Sequence, residues 1–96
     1  ESSAAITLHQ AIRMIELAVD CGVPAFNEGH IADCVAIYHD VSRRLLNQAD
    51  LPAKAHAVLK HALSAADHAP AHDTKAWKLR HGLDRVYALL DHSLRD

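Results

Sequence analysis

A chain of 96 residues, half of them apolar and with a net charge of −2, suffices for one domain whose single core buries roughly 60–65% of the unfolded chain's surface. Three glycines and three prolines supply too little turn chemistry for a many-stranded sheet, so the composition points to helices. Ten basic and twelve acidic side chains without a run of one sign argue against a nucleic-acid-binding face, and no apolar run approaches the roughly 18–20 residues of a membrane span.

Periodicity divides the chain into four helices. The first is expected from about Ser3 to Asp20, capped by Ser2 or Ser3, with Leu8, Ile12, Ile15 and Val19 stacked on one face. Pro24 cannot donate a backbone bond to the carbonyl of Asp20, so this helix should end or kink near Cys21. Phe26 then plugs the end of the bundle, and Asn27 to Gly29 carries the reversal. A second helix from about His30 to Gln48 aligns Ile31, Cys34, Tyr38, Val41 and Leu45. A third starts at Asp50-Leu51-Pro52 and runs to about His68, with an alanine-rich inner face through Ala55, Leu59, Ala62, Leu63 and Ala66. The fourth, capped by Asp73, continues to about Leu94 and buries Leu79, Leu83, Val86 and Leu90, with Ala76, Tyr87 and Leu94 extending the face. Short links between such helices predict an all-α, antiparallel up-down four-helix bundle spanning residues 1–96 as one domain.

Cys21 and Cys34 flank the first reversal. With the turn centred at Glu28 they fall at about the same height in the hairpin, and Cys34 lies on the inward stripe. Three readings stand open: a disulfide stabilising by roughly 3 kcal/mol, two buried free thiols, or metal ligands. His30 and Cys34 are four residues apart on a helix, so with Cys21 a Cys2His copper or zinc site can be drawn.

Gly22, Phe26, Gly29, Cys34 and Tyr38 follow the order of glycine, aromatic, turn glycine, small residue and second aromatic of a tetratricopeptide repeat. About residues 15–45 thus resemble a single such repeat, although Pro24 falls inside the first helix and no second copy follows. The resemblance implies a tightly packed helical hairpin and a groove for a partner.

Nine histidines are the most unusual feature of the composition. Most fall between apolar positions and face water. Their protonation, with an ordinary pKa near 6.5, swings the net charge from −2 to as much as +7. His61, His68 and His72 form a candidate surface strip for metal. Signatures of catalysis are missing: there is no Cys-x-x-Cys, no His-Glu-x-x-His, no glycine-rich elbow around a serine and no phosphate loop. The three glutamates lack the Glu-x-x-His spacing of di-iron bundles, and the haem attachment motif is absent.

The expectation is therefore a non-enzymatic helical module without cofactor. It binds a protein, peptide or other extended ligand at the end of the bundle around Phe26, His30 and Trp77, or in a groove along the second helix. The alternative is a copper or zinc protein using Cys21, His30, Cys34, His61, His68 and His72. The chain begins at Glu1 rather than Met, which together with the paired cysteines suggests a processed periplasmic or secreted protein, with a cytoplasmic one as the alternative.

Overall fold

The computed structural model describes residues 5–95. Four helices follow one another: α1 (Leu8–Asn27), α2 (Ile31–Gln48), α3 (Ala53–His68) and α4 (His72–Arg95). The expected cap at Ser2 or Ser3 lies outside the described residues; α1 starts at a capping box instead. The Thr7 hydroxyl accepts from the Gln10 amide at 3.1 Å, and the Gln10 side chain accepts from the Thr7 amide at 2.9 Å. Just before it, the Ile6 amide donates to the Gln48 carbonyl at 2.9 Å, tying the start of the chain to the α2–α3 link.

The expectation that the first helix ends near Cys21 is corrected: α1 runs through Pro24 to Asn27. Proline removes one helical donor, from the carbonyl of Asp20, but that residue is exposed and water can replace the lost bond. Chain reversal follows through a Schellman motif. The His30 amide donates to Ala25 at 2.8 Å and the Gly29 amide to Phe26 at 3.1 Å. Gly29, at φ +87°, is the one described residue with positive φ, a conformation its missing Cβ makes accessible.

The buried stripe of α1 is Ala11, Ile15, Ala18 and Gly22, rotated from the expected one, with Leu8, Ile12 and Val19 only partly buried. Small residues face inward here because α2 comes close: a Cβ on Gly22 would lie 2.5 Å from the Tyr38 ring. In α2 the stripe is Cys34, Tyr38, Ser42 and Leu45, so a serine replaces the expected Val41 at the centre. The α3 stripe is as expected except that Leu63 is only partly buried, and that of α4 keeps the expected Ala76 and gains Gly82, with Tyr87 and Leu94 only partly buried. Pro52 occupies the cap position of α3, and Asp73 sits in the first turn of α4 rather than before it, its carboxylate accepting from the Thr74 amide at 2.8 Å.

The bundle is flattened. Neighbouring helices pack in sequence order and α4 closes on α1. Across the section α2 and α4 touch while, among the described residues, α1 and α3 do not. The α3–α4 pair approaches closely because Gly82 faces Ala62. Among the described residues, four pairs spaced three or four apart decorate the surface: Arg13–Glu16, Asp40–Arg44, Arg80–Asp84 and Asp91–Arg95. Polar contacts that join helices include His39 to Asp67 at 3.7 Å, the Lys75 ammonium donating to the Ala66 carbonyl at 2.8 Å, and the Tyr87 hydroxyl donating to Glu16 at 2.9 Å.

Candidate functional site

An antiparallel bundle collects the α1–α2 turn and the α3–α4 link at one end. There the last turns of α1, the start of α2 and the start of α4 enclose a cleft of about 310 Å³. Phe26 and Trp77 meet edge to face across it, ring centroids 5.7 Å apart and planes inclined at 67°. On the far side Trp77 lies 5.7 Å from the His81 ring. Trp77 is 51% exposed although it is the largest side chain of the molecule, and Val23 beside the cleft is 36% exposed.

Deeper in, Cys34, Tyr38 and Arg80 line the same space. Burial pushes the Cys34 thiol up, against the lowering influence of the Tyr38 hydroxyl and Arg80. Burial also raises the Tyr38 phenol, while its hydrogen bond with Arg80 works in the opposite direction. For Arg80, burial alone would lower the pKa; hydrogen bonds with Asp84 and Tyr38 outweigh it and hold the guanidinium above its ordinary value. Asp84 accepts from Arg80 Nε at 3.0 and 3.2 Å. At neutral pH the cleft therefore presents a protonated thiol, a protonated phenol and one fixed cation beneath an apolar mouth. Such a set can hold an apolar group and orient a polar one next to it. The thiol is protonated and no imidazole lines the cleft, so Cys34 has no base to activate it there.

Of the expected trio, Phe26 and Trp77 come together. His30 does not line the cleft; it caps α2, exposed, without a side-chain cap bond. Tyr38 and Arg80 were missed as site residues because their spacing marks the first as core and the second as half of a surface ion pair. The signal for both was proximity in register: Arg80 is one turn beyond Ala76 and Trp77 on α4.

The two sulfurs do not meet, which corrects the disulfide reading. Cys34 is buried and Cys21 exposed, and both are free. The inward residue of α1 at that level is Gly22, with the Tyr38 ring against it, and Cys21, one residue earlier, turns to solvent. An oxidising compartment loses its support from cysteine pairing. The metal reading gains no support from the placement: among the described residues no group of three or more His, Cys, Asp or Glu side chains is placed to hold an ion. Cys21, His30, Cys34, His61, His68 and His72 are spread over all four helices and the α1–α2 turn, all exposed except Cys34. His68 Nδ1 is also taken up by the Ser64 carbonyl at 2.8 Å. Every histidine except the half-buried His39 faces water.

No protein-family model matches the chain, nor does any curated protein or solved structure. Among the described residues no helix is long and apolar enough to cross a membrane.

Proposed function

We propose that this chain is a small helical binding module, not an enzyme, that takes an apolar side chain of a protein or peptide partner into the cleft beneath Phe26 and Trp77. The observation that carries the reading is the half-exposed Trp77 at the mouth of an apolar cleft. A tryptophan in water next to unfilled apolar space gains from being covered, and such residues dominate binding energy where partners anchor. Arg80 and the Tyr38 hydroxyl beneath the mouth select for a polar or anionic group adjoining the anchor.

Selection of displayed random peptides on the wild-type protein tests this directly. Binders are expected to share a bulky apolar anchor, and to shift the emission of Trp77, the single tryptophan of the chain. Measured by anisotropy of the labelled peptide, Trp77→Ala should weaken them by about thirtyfold, the effect of losing a contact of about 2 kcal/mol. Peptides that bind Trp77→Ala and Phe26→Ala as tightly as wild type would refute the proposal.

A further inference from the structure

Cations that the sequence scatters over more than thirty positions converge in the groove between α3 and α4. Lys54 of α3 and Lys78 and Arg85 of α4 line one space of about 420 Å³, joined by His61 and His81. No aspartate or glutamate is among its lining residues. Of the cations outside the groove, Arg13, Arg44, Arg80 and Arg95 each pair with a carboxylate and Lys75 donates to the Ala66 carbonyl at the end of α3, while Arg43 and Lys60 stand singly, away from it. Lys54, Lys78 and Arg85 pair with no described residue. A net charge of −2 therefore coexists with a local cationic trough. Its floor is small and apolar, with Val58, Ala62 and Gly82, because Gly82 lets α3 settle against α4.

We infer that this groove docks an acidic, amphipathic segment of a partner protein. Charge complementarity argues for carboxylates on the rim, and the apolar floor argues for aliphatic side chains between them. Nucleic acid fits less well. Three fixed cations are few beside the six to ten phosphate contacts of a DNA-binding face, and the only rings lining the groove are the imidazoles of His61 and His81, with no Phe, Tyr or Trp as a broader stacking platform. The groove also continues into the first site, since His81 both lines it and contacts Trp77. The inference rests on the binding-module reading and adds the chemistry of the partner: an apolar anchor in the cleft, followed by an acidic stretch along α4.

The test measures anisotropy of a labelled synthetic peptide carrying glutamate and leucine at helical spacing, binding to the full chain. It should bind, and weaken by about tenfold when Lys54, Lys78 and Arg85 are together replaced by glutamate, since three exposed pairs each contribute a modest share. The milder Lys54→Gln, Lys78→Gln and Arg85→Gln set should move affinity in the same direction, guarding against a loss of fold in the first variant. Raising salt from about 0.1 M to about 1 M, which shortens screening from roughly 10 Å to roughly 3 Å, should weaken wild type and leave the glutamate variant nearly unmoved. Trp77→Ala should lower affinity without changing that salt response, so the two sites fail separately. A peptide that does not bind wild type overturns the inference, as does one that binds all charge variants equally. Tighter binding of a lysine-for-glutamate control peptide, of an oligonucleotide or of phosphatidylserine vesicles also overturns it.

Discussion

Replacing Gly82 by alanine should destabilise the bundle, although alanine is the better helix former. A Cβ at position 82 would lie 2.5 Å from the Ala62 Cβ, against ordinary contacts of 3.4–4 Å, so the helices must separate by about an ångström. Both residues are buried, and overpacking of this kind costs about 1–3 kcal/mol. About 1 kcal/mol returns from helix propensity, leaving a loss of up to about 2 kcal/mol, centred near 1 kcal/mol. Ala62→Gly alone loses a similar propensity term and about 0.8 kcal/mol of methyl burial, roughly 2 kcal/mol in all. The double variant again places one methyl against one glycine and should return to within about 0.5 kcal/mol of wild type. The implied coupling is about 3 kcal/mol. Thermal and denaturant unfolding of the four proteins reads it, with about 4–8 °C in Tm for each kcal/mol in a domain of this size. Losses that add to within about 0.5 kcal/mol, or a Tm raised by Gly82→Ala, would refute the close contact between α3 and α4.

The buried Ser42 hydroxyl has no hydrogen-bond partner, so Ser42→Ala should be neutral or stabilising by up to about 1 kcal/mol in urea unfolding. Thiol counting with a chromogenic disulfide should find Cys21 reactive in the native protein and Cys34 only after unfolding, and equal native rates would contradict the burial of Cys34. The Cys34 thiol and the Tyr38 phenol are raised by burial, and the Tyr87 phenol by its bond to Glu16. The folded chain thus holds these protons more tightly than the unfolded one. Stability should be level at neutral pH and fall as pH rises past about 9–10, with Tyr38→Phe flattening the decline in a Tm–pH series. Trp77→Ala should cost about 1 kcal/mol, mostly its edge contact with Phe26, against about 2–5 kcal/mol for Leu79→Ala; similar losses would mark Trp77 as core rather than contact surface.

Most of the architecture is legible as spacing. Branched and long aliphatic residues at intervals of three and four give the faces of α3 and α4, and Pro52, Pro70 and Gly29 mark the links. Misreadings arise where the inward residue is small. In α1 the leucine, isoleucine and valine positions outweigh Ala11, Ala18 and Gly22 in hydropathy, yet the small ones face the core because Tyr38 needs the space. That rotation also decides the cysteines, since it puts Gly22 rather than Cys21 on the inside. Pro24 misleads for a different reason: a single lost backbone bond at an exposed carbonyl does not outweigh the packing of seven further helical residues through Asn27. Phe26 and Trp77 are visible as candidates because aromatic residues are scarce. The α3–α4 trough is not, since its cations are separated along the chain and meet only once Ala62 and Gly82 bring the helices together.

That last dependence links stability to recognition. Because α2 and α4 pack across the short diagonal, α4 has a neighbour on each flank and still keeps an outer face. Its inner stripe of Ala76, Leu79, Leu83, Val86 and Leu90 holds the core, and the residues beside that stripe, Trp77, Lys78, His81 and Arg85, stay at the surface. A helix recruited only to close a bundle gains nothing from a half-exposed tryptophan followed by cations that no carboxylate neutralises. Both features lie on the same side of α4, one leading into the other through His81. Under the proposed function, α4 serves the core with one face and a partner with the other, and the closeness of Gly82 to Ala62 sets the width of the surface that partner would meet.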